Sequence, residues 1–420
     1  MIKLLIIADD YTGAADTGVQ LAKVGIPTLV TTDLTFRVAD GYPKVEVLVV
    51  DTESRHMCPE MAYRTVYNLA KYAREVGICR IYKKTDSTLR GNIGSELAAV
   101  MDATGLERLY FAPALPELNR TTVNGVQFVD GLPLSHTPFA NDPFTPVVSS
   151  FVPKIIAQQT DIPVLLATPV NLKEHSEHIK GRTIVVIDSK DNMDFVHIAE
   201  QLKGEEQFLL AGNSGFSEIL PDLIGLDGTH RNYRIYPKNA LILCGSLNEI
   251  SFVQTQRAEQ LGIPSVALNA EQKQAGYSAT EQGRKFLQNL LETVQQHSSL
   301  IIKTASEPSS QDKTLLREAA DKKMHSTLHL DIARNVGQLV TELLRLGEIE
   351  LLIVFGGDTF FGILENLPDS VVLPETEVLP GIVQSLIAWK GSPITVVSKA
   401  GGFGRPDTLV KLLQYYCLVP

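Results

Sequence analysis

Residues 82–97 read YKKTDSTLRGNIGSEL, and the loop within them, 84–94, sets two cations, a carboxylate and hydroxyls between an apolar run and a helix-like run. Lys84, Thr85, Asp86, Ser87, Thr88 and Arg90 exceed what a helix cap needs. A cation at a helix start opposes the dipole unless an anion sits there. Asp9 and Asp10 end the first apolar run, where a carboxylate needs a partner. Arg55 follows a third run in the stretch DTESR. Cations to hold a carboxylate and aspartates to hold hydroxyls suit a small polyhydroxy acid.

A second set of corners is rich in glycine and nearly uncharged. Gly245, Ser246 and Asn248 follow one apolar run. Gly356, Gly357, Asp358 and Thr359 follow another, and Lys399 precedes Gly401, Gly402 and Gly404 after a third. Glycines let backbone approach a ligand, and helix N-termini offer N–H groups to phosphates. Each corner also fits an ordinary cap or turn; five of one construction favour ligand binding. Pro406 is expected in a first helical turn.

Short Ile/Val/Leu runs, polar loops and amphipathic stretches alternate along the chain. That pattern predicts an α/β fold of two domains, each a mostly parallel sheet flanked by helices, with a cleft between them. In such sheets ligands bind beyond the carboxyl ends of the strands. Strands are expected at 3–8, 27–31, 46–50, 79–83, 108–112, 163–167, 183–187 and 207–211. A second series is expected at 240–244, 265–268, 299–303, 350–355 and 394–398. The polar segment 221–239 separates the series, so domains of 1–225 and 226–420 are expected, the first suited to a small polyhydroxy acid and the second to a phosphate-bearing ligand. Residues 113–153 carry prolines at 113, 116, 133, 138, 143, 146 and 153, which excludes a long helix. A hairpin is expected around Asn124–Gly125, within an excursion of functional character. Ser95 and Glu96 suit a helix start, and Trp389 suits helix packing.

The chain has 420 residues, 44% hydrophobic and 20% charged, with a net charge of -10. The acidic balance argues against non-specific nucleic-acid binding. Cys58, Cys79, Cys244 and Cys417 form no C-x-x-C pair, so a zinc knuckle or redox motif is not indicated. No apolar run approaches the roughly 18 residues of a membrane helix, and the cytoplasm is the expected compartment. Walker, dinucleotide-binding and hydrolase-elbow motifs are missing. His56 suits a surface or capping role, and His136 lies in the proline-rich excursion.

The ordered stretches ADDYTGAADTG, KKTDSTLRGNIGSEL, CGSLNEISFVQ, FGGDT and SKAGGFGRPDTL resemble the motifs of the four-carbon acid sugar kinases over essentially the whole chain. The resemblance implies an ATP-dependent kinase for threonate, erythronate or oxo-tetronates, using Mg²⁺, with ATP and the sugar acid as its partners. By position, Asp10, Arg55, Lys84, Thr85, Asp86 and Ser87 match its substrate motifs. Ser246, Gly356, Gly357, Asp358, Thr359 and Gly402 match its nucleotide motifs. The family often has serine before the glycine pair where this chain has Phe355; the backbone donors remain. Asp9 and Arg90 join the substrate set, Gly401 and Gly404 the nucleotide set. Asp10 or Asp86 is expected to accept or orient the attacking proton, and the sequence does not choose. Asp358 is a candidate for the metal shell or a nucleotide hydroxyl; the metal ligands are otherwise open. A homodimer is the default expectation. A sugar-acid dehydrogenase and a non-catalytic sensor are the competing readings.

Overall fold

The structure is a computed structural model. It describes the chain apart from residues 1, 38–40, 43, 143–144, 173, 175–180, 206, 230–232, 307–327, 347–348, 369, 390–391 and 420. It divides into units Met1–Arg231 and Asn232–Pro420. Part of the expected linker 221–239 lies outside the described residues. Among the described residues, no helix is long and apolar enough to cross a membrane.

The first unit is built on eight strands: β1 Leu4–Ala8, β2 Thr28–Thr31, β3 Val47–Asp51, β4 Arg80–Lys84, β5 Arg108–Ala112, β9 Val164–Ala167, β10 Thr183–Ile187 and β11 Leu209–Gly212. Their order is β2-β3-β1-β4-β11-β5-β10-β9, parallel at every pairing. LLIIA of β1 is buried at every position, as a strand covered on both faces requires. The register pairs Ala8 with Asp51 and Ile7 with Lys83. The loops after β3, β1 and β4 therefore leave the sheet side by side.

Three helices cover these strands. Asp10 is extended and caps α1 (Tyr11–Ala22), its side chain accepting from the Gly13 N–H. Helix α2 (Pro59–Glu75) starts at a proline and buries Ala62, Val66, Leu69, Ala70 and Ala73 along one stripe. Each of its larger buried apolar side chains contributes about 1.5–3 kcal/mol. Helix α3 (Ile93–Thr104) closes on Gly105 at φ 69°, a left-handed cap that glycine adopts without strain. The start of α3 corrects the sequence reading. It begins after Asn92, and Ser95 and Glu96 lie inside its first turn.

The excursion after β5 forms a small antiparallel sheet: β6 Arg120–Val123, β7 Val126–Val129 and β8 Leu132–Pro133. Asn124 and Gly125 both have positive φ, 51° and 70°, so the hairpin stands where the sequence put it. Isolated bridges join Thr122 to Ser189 and Val126 to Phe151.

The second unit contains β12 Ala240–Cys244, β13 Ser265–Ala267, β14 Ser299–Lys303, β15 Leu351–Phe355, β16 Val371–Leu379, β17 Ile382–Trp389 and β18 Ser392–Lys399. Their order is β13-β14-β12-β15-β18-β17-β16. The pairings are parallel as far as β18, and β18–β17 and β17–β16 are antiparallel. Ile242, Ile353, Phe355, Val397, Leu409 and Tyr416 belong to its buried core.

Every expected strand is present, but β16 and β17 were missed. They flank Pro380–Gly381, with Gly381 at φ 70°, a turn signal the sequence reading passed over. Trp389 ends β17 rather than packing from a helix, and the Arg345 guanidinium lies 5.3 Å from its ring centroid. Pro406 precedes the last helix, Thr408–Tyr415, instead of entering its first turn.

Candidate active site

In the first unit, the carboxyl ends of β1, β3 and β4 bring the charged residues together. Arg55 joins both aspartates after β1. Its Nε donates to Asp9 Oδ2 at 2.8 Å, and its Nη1 to Asp10 Oδ2 at 2.6 Å. Lys84 Nζ stands 3.7 Å from Asp9 Oδ1 and 3.9 Å from Asp10 Oδ1. It lies across the start of α1, so a Cβ at Gly13 would fall 2.1 Å from this amine. Burial alone would raise the Asp9 carboxyl, but Arg55, Lys84 and Lys83 outweigh it and bring it down to about 2.

Asp86 is the second centre. Its Oδ2 accepts from Thr88 Oγ1 at 2.5 Å and from Arg90 Nε at 2.6 Å. Arg90 Nη1 also donates to Asp142 Oδ2 at 3.3 Å. Burial opposes ionisation of Asp86, yet Arg90 and Arg55 hold it well below the usual carboxylate range. Such a group binds and orients a hydroxyl more readily than it takes up a proton. Ser87 Oγ accepts from Arg120, and the Thr85 hydroxyl turns into the sheet toward Gly212 O at 3.3 Å. Thr85 is therefore a structural member of the run, while Ser87 belongs to the charged cluster.

A buried strut beneath the cluster was missed by sequence reasoning. Successive strand residues face opposite ways, so Lys83 points away from Lys84. Lys83 Nζ meets Glu96 Oε2 at 2.7 Å with both side chains sealed from solvent. It also donates to Lys84 O at 2.8 Å and Ile7 O at 3.2 Å. Glu96 Oε1 accepts from Ser54 Oγ at 2.5 Å, one residue before Arg55. A lysine inside an apolar strand was the available signal. Asp51, also overlooked, is buried at the end of β3. Burial, Glu53 and Asp10 push its carboxyl well above the ordinary range.

In the second unit, the corners after β12, β15 and β18 interlock. Asn248 Oδ1 caps helix Glu249–Gln260 by accepting from the Ile250 N–H at 3.1 Å, and Ser246 Oγ accepts from the Asn248 N–H at 3.1 Å. Gly245 N donates to Phe355 O at 3.0 Å, and Gly356 N to Lys399 O at 2.9 Å. Gly356 has φ 115° and precedes helix Gly357–Glu365. A Cβ at Gly245 would lie 1.8 Å from Thr359 Oγ1, and one at Gly401 would lie 2.1 Å from Ser246 Oγ. At Gly402 the nearest atom would be Asn248 Nδ2, 3.3 Å away. Gly404 has φ 86°. Asp358 is exposed in the first turn of its helix.

Lys399 ties the last corner together. Its Nζ donates to Ala400 O at 2.9 Å, Gly401 O at 3.1 Å and Phe403 O at 2.9 Å. The ammonium stands 4.4 Å from the centroid of the Phe355 ring, a cation–π contact. The departure at Phe355 therefore has an internal role. Burial lowers the Lys399 amine to about 8.

Comparison with known proteins matches the same division. A family model described as a sugar-binding N-terminal domain covers residues 4–220, and one described as a nucleotide-binding C-terminal domain covers residues 241–409. The chain is 30% identical to a D-threonate kinase of Salmonella typhimurium, over 99% of this chain and 100% of the relative.

The chain belongs to the four-carbon acid sugar kinase family.

As a member of that kinase family it is a phosphotransferase acting on a sugar acid, with a nucleotide as the other substrate. It is also 27% identical to a D-erythronate kinase of Heliobacterium modesticaldum, over 99% of this chain and 97% of the relative. A solved structure from Salmonella typhimurium LT2 shares the fold, with a TM-score of 0.80 at 20% identity over 98% of this chain and 99% of that one.

Proposed function

We propose that this four-carbon acid sugar kinase transfers the γ-phosphoryl group of ATP to the terminal hydroxyl of threonate, erythronate or an oxo-tetronate. The observation that carries the reading is the cluster of Arg55, Lys84 and Arg90 against Asp9, Asp10 and Asp86 at the carboxyl edge of the first sheet. Cations and carboxylates alternate there at hydrogen-bond spacing, which suits a ligand with one carboxylate and several hydroxyls. In this reading Arg55, Lys84 and Arg90 hold the carboxylate end. Asp10 and Asp86 bind the hydroxyls, Ser87 adds a neutral donor, and the ionised Asp86 orients the attacking hydroxyl.

The uncharged corners support a phosphate-bearing partner. Ser246, Gly356, Gly357, Asp358, Thr359, Gly401, Gly402 and Gly404 line two helix starts and a glycine loop. Added side chains at Gly245 or Gly401 would close that backbone surface. The exposed Asp358 carboxylate, in a helix's first turn, fits an outer position on phosphate-bound Mg²⁺, which usually keeps waters and takes one or two carboxylates. When bound, that ion would neutralise developing phosphate charge. Catalysis then rests on positioning and charge more than on proton abstraction.

A coupled ADP-release assay over a panel of four-carbon aldonates and their oxo forms tests the reading. Turnover with at least one acid is expected, and Asp86→Asn should lower kcat by two orders of magnitude or more with the ATP KM nearly unchanged. Near-normal turnover in that variant would remove Asp86 from the reacting centre.

A further inference from the structure

Arg120 lies outside the strand-end motifs. It is the first residue of β6, on the excursion, and its Nη1 donates to Ser87 Oγ. Phe139 sits between two arginines, its ring centroid 5.6 Å from the Arg90 guanidinium carbon and 5.7 Å from that of Arg120. An aromatic face holds a guanidinium flat without using up its in-plane donors.

The hairpin that carries Arg120 is fastened to the 84–90 loop. Gln127 Nε2 donates to Ser87 O at 2.9 Å and to Pro113 O at 3.2 Å, while Gln127 Oε1 accepts from Thr122 Oγ1 at 2.7 Å. At the foot of the hairpin, Leu115 N and Arg120 O close at 2.7 Å. The position of Arg120 beside Ser87 is thus built in rather than left to a wandering surface side chain.

The charge balance separates Arg120 from its neighbours. Asp9 and Asp10 face Arg55; Asp86 and Asp142 face Arg90. Both of those arginines are raised above the ordinary range by their carboxylates, against the effect of burial. Arg120 moves the other way. Burial lowers it and Arg90 repels it, while Asp86, Asp130 and Asp16 pull the other way without overcoming burial. An anion between Ser87 and Phe139 would relieve that repulsion.

We propose that Arg120 is a further binding residue for the carboxylate of the sugar acid, adding to Arg55, Lys84 and Arg90 and sharpening the choice of an acid over the matching neutral polyol. The inference rests on the kinase reading above for its substrate class. Its geometry is a fixed guanidinium beside Ser87, one residue from Asp86, with Phe139 as its platform.

The test uses the full chain with Arg120→Gln, Arg120→Lys and Phe139→Leu. Calorimetric binding of threonate and erythronate, without nucleotide, is read beside the kinetic constants. Threitol and erythritol serve as neutral competitors. In Arg120→Gln the acid should bind at least tenfold more weakly, with the neutral polyols and the ATP KM changed by less than twofold. Arg120→Lys should recover part of the loss. Equal losses for acid and polyol, or acid binding within twofold of wild type, would overturn the proposal. If Arg120→Gln does not fold, Arg120→Lys decides: weakened acid binding with polyol binding unchanged supports the role, and unchanged acid binding defeats it; Phe139→Leu, which touches Arg90 too, should weaken acid binding through both arginines. Wild type that binds the acids but turns none over with ATP would sink the kinase reading alone.

Discussion

Glu96→Gln should unfold the first unit more easily than any exposed substitution near the site. Lys83 and Glu96 meet at 2.7 Å, 0% and 1% exposed. Removing one charge leaves the other buried and uncompensated, which costs about 3–5 kcal/mol. For a unit of 231 residues, each kcal/mol moves the midpoint by roughly 2–4 °C, so a drop of about 10 °C is expected. Lys83→Met should cost a similar amount and also strip donors from Ile7 O and Lys84 O. The double variant no longer buries a lone charge, and its loss should fall short of the sum by about 2 kcal/mol or more. Urea unfolding of the four proteins gives the coupling energy directly. Additive losses within about 0.5 kcal/mol would show that the two charges do not depend on each other. In that case the account of how Ser54 and Arg55 are held would fail too.

The remaining predictions concern the corners and the charges. Gly245→Ala should badly destabilise the second unit, because its Cβ lands 1.8 Å from Thr359 Oγ1, whereas Gly402→Ala, at 3.3 Å from its nearest neighbour, should fold nearly as the wild type does; urea unfolding of the two variants separates them. Lys399→Met withdraws the donor from three loop carbonyls, and should cost about 2–3 kcal/mol and weaken ATP binding without altering binding of the sugar acid. Acid should loosen the first unit. Asp9 is held near 2, below its usual 3.8, so its contribution of about 2 kcal/mol is complete only above about pH 5 and fades as pH falls toward 2. Asp86, lowered as well, acts in the same direction, while Asp51 and Glu96, raised by burial, act in the opposite one. Asp9→Asn should flatten that decline in urea midpoints between pH 5 and 3, and an unchanged slope would contradict the pairing.

Much of this was legible in the chain itself. Apolar runs such as LLIIA and ALILC announce strands covered on both faces, and their abrupt ends mark where the charged and glycine-rich corners begin. The residue types in the 84–90 loop also set it apart from an ordinary helix cap. The pairings were not legible. Arg55 reaches back 46 positions to Asp9, and only the parallel register of β1 beside β3 brings them together. Lys83 and Lys84 are chemically alike on paper, and strand alternation alone sends one into the core and the other toward the aspartates. β16 and β17 escaped because Pro374 and mixed polar residues interrupt their period. Arg120 escaped because its placement depends on a hairpin folding back over the sheet.

That hairpin leaves the ladder of parallel strands complete. β5 keeps its hydrogen-bonded partners β11 and β10 on either side, while the hairpin Arg120–Val123 and Val126–Val129 is added beyond its end. If Arg120 reads the acid as proposed, an exchange of residues there would change which acids are welcome without touching the framework that holds the aspartates. Relatives with different acids as substrates could then diverge through this graft alone, with the machinery beneath it left as inherited.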